Sequence, residues 1–155
     1  MKKFNHKIVL LALLIAALQL VACQKQKATN YEHIVPAQIE HIEGSELSKL
    51  TLTERAAERL GILTAKVVEE PITGEGGYGA QTTQKVTPYG SIIYDFHGHT
   101  WVYTNPEPLV YLRHEIKIDR IKGDKVYLLE GPPVGTTVAT QGAAELYGTE
   151  YHVGH

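Results

Sequence analysis

His97-Gly98-His99 is the pair of residues in this 155-residue chain whose type and spacing suit metal chemistry. Two imidazoles on one short loop can face a single ion, and imidazole suits zinc, copper and nickel. A site of that kind needs three or four ligands in fixed geometry. Further histidines include His114, His152 and His155, the last two in a tail running Glu150-Tyr-His-Val-Gly-His155. The chain has one cysteine, Cys23, and one methionine, Met1, so thiolate and thioether ligands of the kind Cu(I) favours are missing. The expectation is therefore no cofactor, with surface and tail histidines, and zinc or copper on His97 and His99 is the alternative.

Groups suited to catalysis are fewer. Ser45, Ser48 and Ser91 are the only serines, and none has the flanking glycines of a nucleophile elbow. Asp95, Asp119 and Asp124 fall at expected turns or on a polar strand face. Gly74-Glu-Gly-Gly-Tyr-Gly79 lacks the lysine and serine or threonine of a phosphate-binding loop. The chain is expected not to be an enzyme.

The element that must position these residues is a run of short strands over 86–142. Val86-Thr-Pro-Tyr-Gly-Ser-Ile-Ile-Tyr94 and Thr100-Trp-Val-Tyr-Thr104 are rich in β-branched and aromatic residues, with a turn at Asp95–His99 between them. From Val110 the chain alternates: Val110, Leu112, His114, Ile116 and Ile118 share one face, and Tyr111, Arg113, Glu115, Lys117 and Asp119 share the other. Lys122-Gly-Asp124 turns into Lys125–Glu130, which Gly131-Pro-Pro133 ends. Thr136–Thr140 is the last strand, and Gly142–Tyr147 a helical turn closed by Gly148. Tyr89, Tyr94, Tyr103, Tyr111 and Tyr127 read as cross-strand packing, or alternatively as a docking face.

Upstream, Leu50-Thr-Leu-Thr-Glu-Arg-Ala-Ala-Glu-Arg-Leu60 before Gly61 predicts a helix of about two turns, with Thr51 and Glu54 as a capping box and Leu52, Ala56 and Leu60 on one face. Ile62–Val68 reads as a strand. Pro71 and the glycine run Gly74–Gly79 are expected to break regular structure and form a mobile loop. The fold class is thus mainly β: a small antiparallel, barrel-like sheet, one short helix before it and a helical turn at its end.

The first 22 residues are expected to be a targeting segment. Lys2, Lys3 and Lys7 precede an apolar run of 11 residues, Ile8–Leu18, too short for a spanning helix, which needs roughly 20. Leu20-Val-Ala-Cys23 resembles the lipobox of bacterial lipoproteins, which implies cleavage before Cys23 and lipidation of its thiol. Several acyl chains would hold the protein on a membrane facing the periplasm. Gln24 follows where that family's inner-membrane retention residue is aspartate, so both inner and outer membranes stay open. Without residues 1–22 the chain keeps 12 basic and 17 acidic residues, a formal charge of −5. That balance argues against nucleic acid as a partner and against electrostatic membrane binding. Residues 23–48 are expected to be a partly disordered tether, and 149–155 a free tail.

Two blocks together resemble the periplasmic adaptor subunits (membrane fusion proteins) of resistance-nodulation-division (RND) efflux pumps. The first is Leu50-Thr-Leu-Thr-Glu through Arg59-Leu-Gly-Ile-Leu-Thr-Ala-Lys-Val67; the second joins Val86–Tyr94, Trp101-Val-Tyr103, Gly131-Pro-Pro-Val-Gly135 and Thr137-Val-Ala-Thr-Gln-Gly-Ala143. The resemblance implies that 86–148 is a membrane-proximal β-domain, and that the partner is an inner-membrane RND transporter or a full-length adaptor. It also implies Trp101, Tyr103 and the turns around Gly98 and Gly131 as docking contacts. Only residues 69–85 separate the blocks, so the lipoyl domain and helical hairpin of full adaptors have no counterpart between them.

Overall fold

A computed structural model describes residues 35–73 and 81–151, all within the second of the two units into which the chain divides, residues 35–155. The fold is mainly β, an antiparallel curled sheet with one short helix before its main strands and another at the end. Cys23, the glycine run, His152 and His155 lie outside the described residues.

The strands are β1 (Ala37–His41), β2 (Ser48–Leu52), β3 (Leu63–Lys66), β4 (Val68–Thr73), β5 (Gln81–Pro88), β6 (Ile93–Tyr94), β7 (Thr100–Glu107), β8 (Val110–Lys122), β9 (Lys125–Glu130) and β10 (Thr137–Gln141). Helix α1 spans Glu54–Leu60 and α2 spans Ala143–Glu150. The sheet runs β3-β10-β7-β8-β9-β5-β4, with the β1–β2 hairpin added onto β8 and β6 onto β7. The first and last strands of that path are separated in sequence by Val67 alone, so the curl is joined end to end through one bent segment. Val67 secures the bend with both backbone groups, its N–H to Thr136 O at 2.9 Å and its carbonyl to the Gly135 N–H at 2.8 Å.

Curling gives the central strands two buried faces. Val67, Val102, Ile116, Val126, Leu128 and Val138 form one cluster, contributed by β7, β8, β9, β10 and the bend between β3 and β4. Tyr103 and Ala139, the next residues along β7 and β10, point the opposite way into a second cluster with Leu50, Leu52, Tyr111 and Leu146 under β2, α1 and α2. The alternation expected for β8 is therefore present, yet neither face is simply the wet one. Tyr111 and Arg113 are buried in its first half and Ile116 beyond them, while His114 is exposed. Register shifts against β9 at Lys117–Arg120 accompany the bend.

Several expected boundaries move. Leu50 and Leu52 belong to β2, whose burial alternates strictly, so α1 starts later. Its N-cap is Thr53, not Thr51: the Ala56 N–H donates to Thr53 Oγ1 at 3.2 Å. Gly61 closes it in the left-handed conformation at φ 62°, as the sequence predicts. Residues 37–48, expected to lie in the tether, make β1 and its turn into β2. Pro71 sits inside β4 without breaking it, because β4 is an edge strand and its missing N–H costs no ladder bond. Val86–Tyr94 is interrupted by a 3₁₀ turn at Tyr89–Ser91, where a Cβ on Gly90 would lie 2.5 Å from Thr140 O. The terminal helix runs through Gly148 to Glu150, so Thr149 and Glu150 are not tail.

Candidate functional site

Asp95 opens the turn between β6 and β7 and accepts bonds from nearly everything around it. Its Oδ1 takes the backbone N–H of His97 at 2.9 Å and of His99 at 2.8 Å. Its Oδ2 takes Trp101 Nε1–H at 3.0 Å and lies 3.3 Å from His99 Nδ1. Burial alone would raise its pKa, but the bonds from Trp101, His99 and His97 outweigh it and hold the carboxyl down at about 2. Gly98 supplies φ 87° at the turn's tightest point. One carboxylate thus fixes a five-residue turn that carries Phe96, 79% exposed, at its tip.

A continuous line of rings runs from that tip into the protein. Phe96 and His97 have centroids 4.1 Å apart, His97 and His99 6.0 Å, and His99 and Trp101 6.5 Å edge-on. The Arg113 guanidinium then lies 4.6 Å from the Trp101 centroid and 5.2 Å from that of Tyr151. Arg113 Nε donates to Glu150 Oε2 at 2.8 Å and Nη2 to Glu46 O at 3.2 Å. Desolvation would lower the pKa of Arg113, but Glu150 more than offsets it, so the guanidinium stays charged. Tyr103 Oη donates to the same Glu150 oxygen at 2.6 Å, and burial followed by that carboxylate drives its ionisation far above the ordinary range. Beside Trp101 and Arg113 an open cleft of about 450 Å³ is walled by Ser45, Glu46, Leu47 and Glu115.

His97 and His99 are brought together on one exposed turn, as their spacing suggests. Among the described residues no group of three or more His, Cys, Asp or Glu is placed to hold a metal. His114, on β8, lines the cleft with Trp101 and Arg113 and is not grouped with His97 and His99; partial desolvation and the charge of Lys85 keep it below its ordinary pKa. Trp101 is half-buried, at the rim. Tyr103 is 0% exposed and cannot be a docking contact: its odd position on β7 turns it into the core beneath α2. Of the five sheet tyrosines, Tyr103, Tyr111 and Tyr127 pack inside, while Tyr89 and Tyr94 are about half exposed. A serine–histidine pair, Ser48 Oγ to His41 Nδ1 at 2.9 Å, does occur, but Ser48 is 2% exposed and out of reach of a substrate.

Comparison with known proteins finds no matching family model, no matching curated protein and no matching solved structure.

Sequence reading missed Asp95, Phe96, Arg113 and Glu150 as members of this site. Asp95 carried a usable signal, since an aspartate two residues before a loop N–H commonly makes an Asx turn. Glu150 carried none, lying in a polar stretch after a glycine. What the site offers chemically is a hydrogen-bonded, solvent-facing aromatic tip with imidazoles, backed by a buried ionic anchor.

Proposed function

We propose that this chain is a lipid-anchored adaptor-like accessory of an RND-type efflux transporter in the cell envelope, acting in export by protein–protein docking. Cys23 is the anchor and the curled sheet is the docking module. The observation that carries the reading is the Asp95–His99 turn, which presents Phe96 to solvent on a fixed backbone at the sheet rim. Aromatic side chains that are already ordered bind at low entropic cost and recur at interface centres. The short capped helix leading into β3 and the curled antiparallel sheet also suit the membrane-proximal part of an adaptor. The test is affinity purification of the lipidated protein from its native membrane, followed by mass spectrometry. Recovery of a large inner-membrane transporter or a full-length adaptor is expected, and recovery of the protein alone would refute the reading.

A second reading, a periplasmic zinc- or copper-binding lipoprotein, is favoured by one contact. Asp95 against His99 Nδ1 is the carboxylate–histidine pairing that orients metal-ligating imidazoles.

A further inference from the structure

We propose that the cleft beside Trp101 and Arg113 is a strand-addition site, taking an extended, basic peptide segment of the docking partner onto an open edge of β8. The proposal deepens the docking reading, naming the chemistry of the partner's segment, and rests on it.

β8 pairs with β7 between Val110 and Ile116, while its other edge is divided between two strands. β2 covers Val110–Leu112, and β9 begins only at Lys117. Residues 113–116 are therefore paired on the β7 side alone. Arg113, His114 and Glu115, all from this gap, line the cleft of about 450 Å³. An unpaired edge offers backbone N–H and C=O groups that a further strand can take up. At roughly 3.4 Å per residue the gap has room for about three residues of an added chain.

The side chains at the gap set the chemistry. Arg113 is a fixed donor, its side chain only 2% exposed, with Nε and Nη2 held by Glu150 and by Glu46 O. Its Nη1 donates to no acceptor among the described residues, yet it is not sealed from solvent. That leaves it able to meet a peptide carbonyl. The charge of Arg113 is already balanced by Glu150. Glu46 and Glu115 stand exposed on the walls, and His114, held below its ordinary pKa, adds no positive charge at neutral pH. The cleft is thus acidic on balance, which selects a lysine or arginine beside the added strand and rejects an acidic one.

The experiment titrates the full lipidated chain, in neutral detergent, with a capped glycine pentapeptide carrying two central lysines. Trp101 is the only tryptophan, so its emission reports on the cleft. A saturable change is expected, weakened by salt and by Glu46→Gln with Glu115→Gln, which should cost roughly tenfold in affinity. Glu69→Gln, which removes the same charge from β4, should leave binding unchanged. N-methylation of the peptide backbone should abolish it. Equal binding of the N-methylated peptide would overturn strand addition, and equal binding of a glutamate counterpart would overturn the basic preference. Emission that changes with protein concentration alone would give the edge to a second copy of the chain and overturn the partner. No response to any peptide would overturn the site and leave the docking reading to the purification. Peptide binding with no transporter or adaptor recovered would overturn the docking reading and leave the cleft a peptide site.

Discussion

Arg113 Nε and Glu150 Oε2 are 2.8 Å apart, and their side chains are only 2% and 3% exposed. The pair ties the first half of β8 to the final turn of α2. A buried pair is a poor source of net stability, because desolvating two charges offsets most of their attraction. Removing one partner is another matter, since the survivor stays buried and uncompensated. Glu150→Ala or Arg113→Ala is expected to cost about 3–5 kcal/mol. Replacing both together, by Arg113→Met with Glu150→Leu, should cost less than either single change. Urea unfolding of the three variants checks this, and a double variant as unstable as the sum of the singles would refute it.

Tyr103 donates to the same Glu150 oxygen, whose neighbour Oε1 has no hydrogen-bond partner among the described residues. Tyr103→Phe keeps the ring in the core and removes only that donor. The expected loss is about 1–2 kcal/mol, smaller than for Glu150→Ala because Arg113 still compensates the carboxylate. Equal losses in the two variants would show that the hydroxyl, and not the guanidinium, is the main partner.

The turn should respond to acid through Asp95. Its folded-state pKa, about 2, is below the ordinary aspartate value, so its contribution is fully present above about pH 4. It is lost as pH falls through 2. Asp95→Asn retains a carbonyl oxygen but no charge, so the gap in Tm between wild type and variant should be largest above pH 4 and close towards pH 2. Thermal unfolding across pH 2–6 measures it. A gap independent of pH would mean that charge plays no part in holding the turn.

The outline of the sheet was legible because its signals are local. Lys122-Gly-Asp124 and Gly131-Pro-Pro133 end strands wherever they occur, and Gly61 capped its helix as expected. Leu50 and Leu52 were misread because Leu52, Ala56 and Leu60 also satisfy a helical spacing, and only pairing with β1 and β8 decides for the strand. The burial of β8 was less legible than its two faces, for a different reason. Alternation identifies two faces, but whether the second is wet depends on what the β1–β2 hairpin and α2 cover. Glu150 was the least legible residue, since its role rests on Arg113, 37 positions earlier.

Gly90 offers a packing test free of charge effects. A Cβ there would sit 2.5 Å from the backbone oxygen of Thr140, which cannot swing aside as a side chain does. Gly90→Ala should destabilise by about 1–3 kcal/mol, whereas Ala at Gly123, where the same atom meets open space at φ 63°, isolates the cost of backbone strain alone. Denaturant midpoints for the two variants compare them. A Gly90→Ala protein as stable as wild type would mean that the 3₁₀ turn and β10 are less tightly apposed than described.

Phe96 separates recognition from folding. At 79% exposure it buries little, so Phe96→Ala should leave stability within about 0.5 kcal/mol of wild type. If the turn is the centre of a docking surface, the same change should cost about 2 kcal/mol of binding, roughly thirtyfold in affinity. Recovery of the transporter or adaptor in the purification would then fall sharply at unchanged Tm. Trp101→Ala cannot make the distinction, because Trp101 also donates to Asp95 and stacks on Arg113, and its loss would disturb the turn and the ionic anchor together. Undiminished recovery with Phe96→Ala would move the docking surface away from this rim, to the exposed tyrosines at Tyr89 and Tyr94.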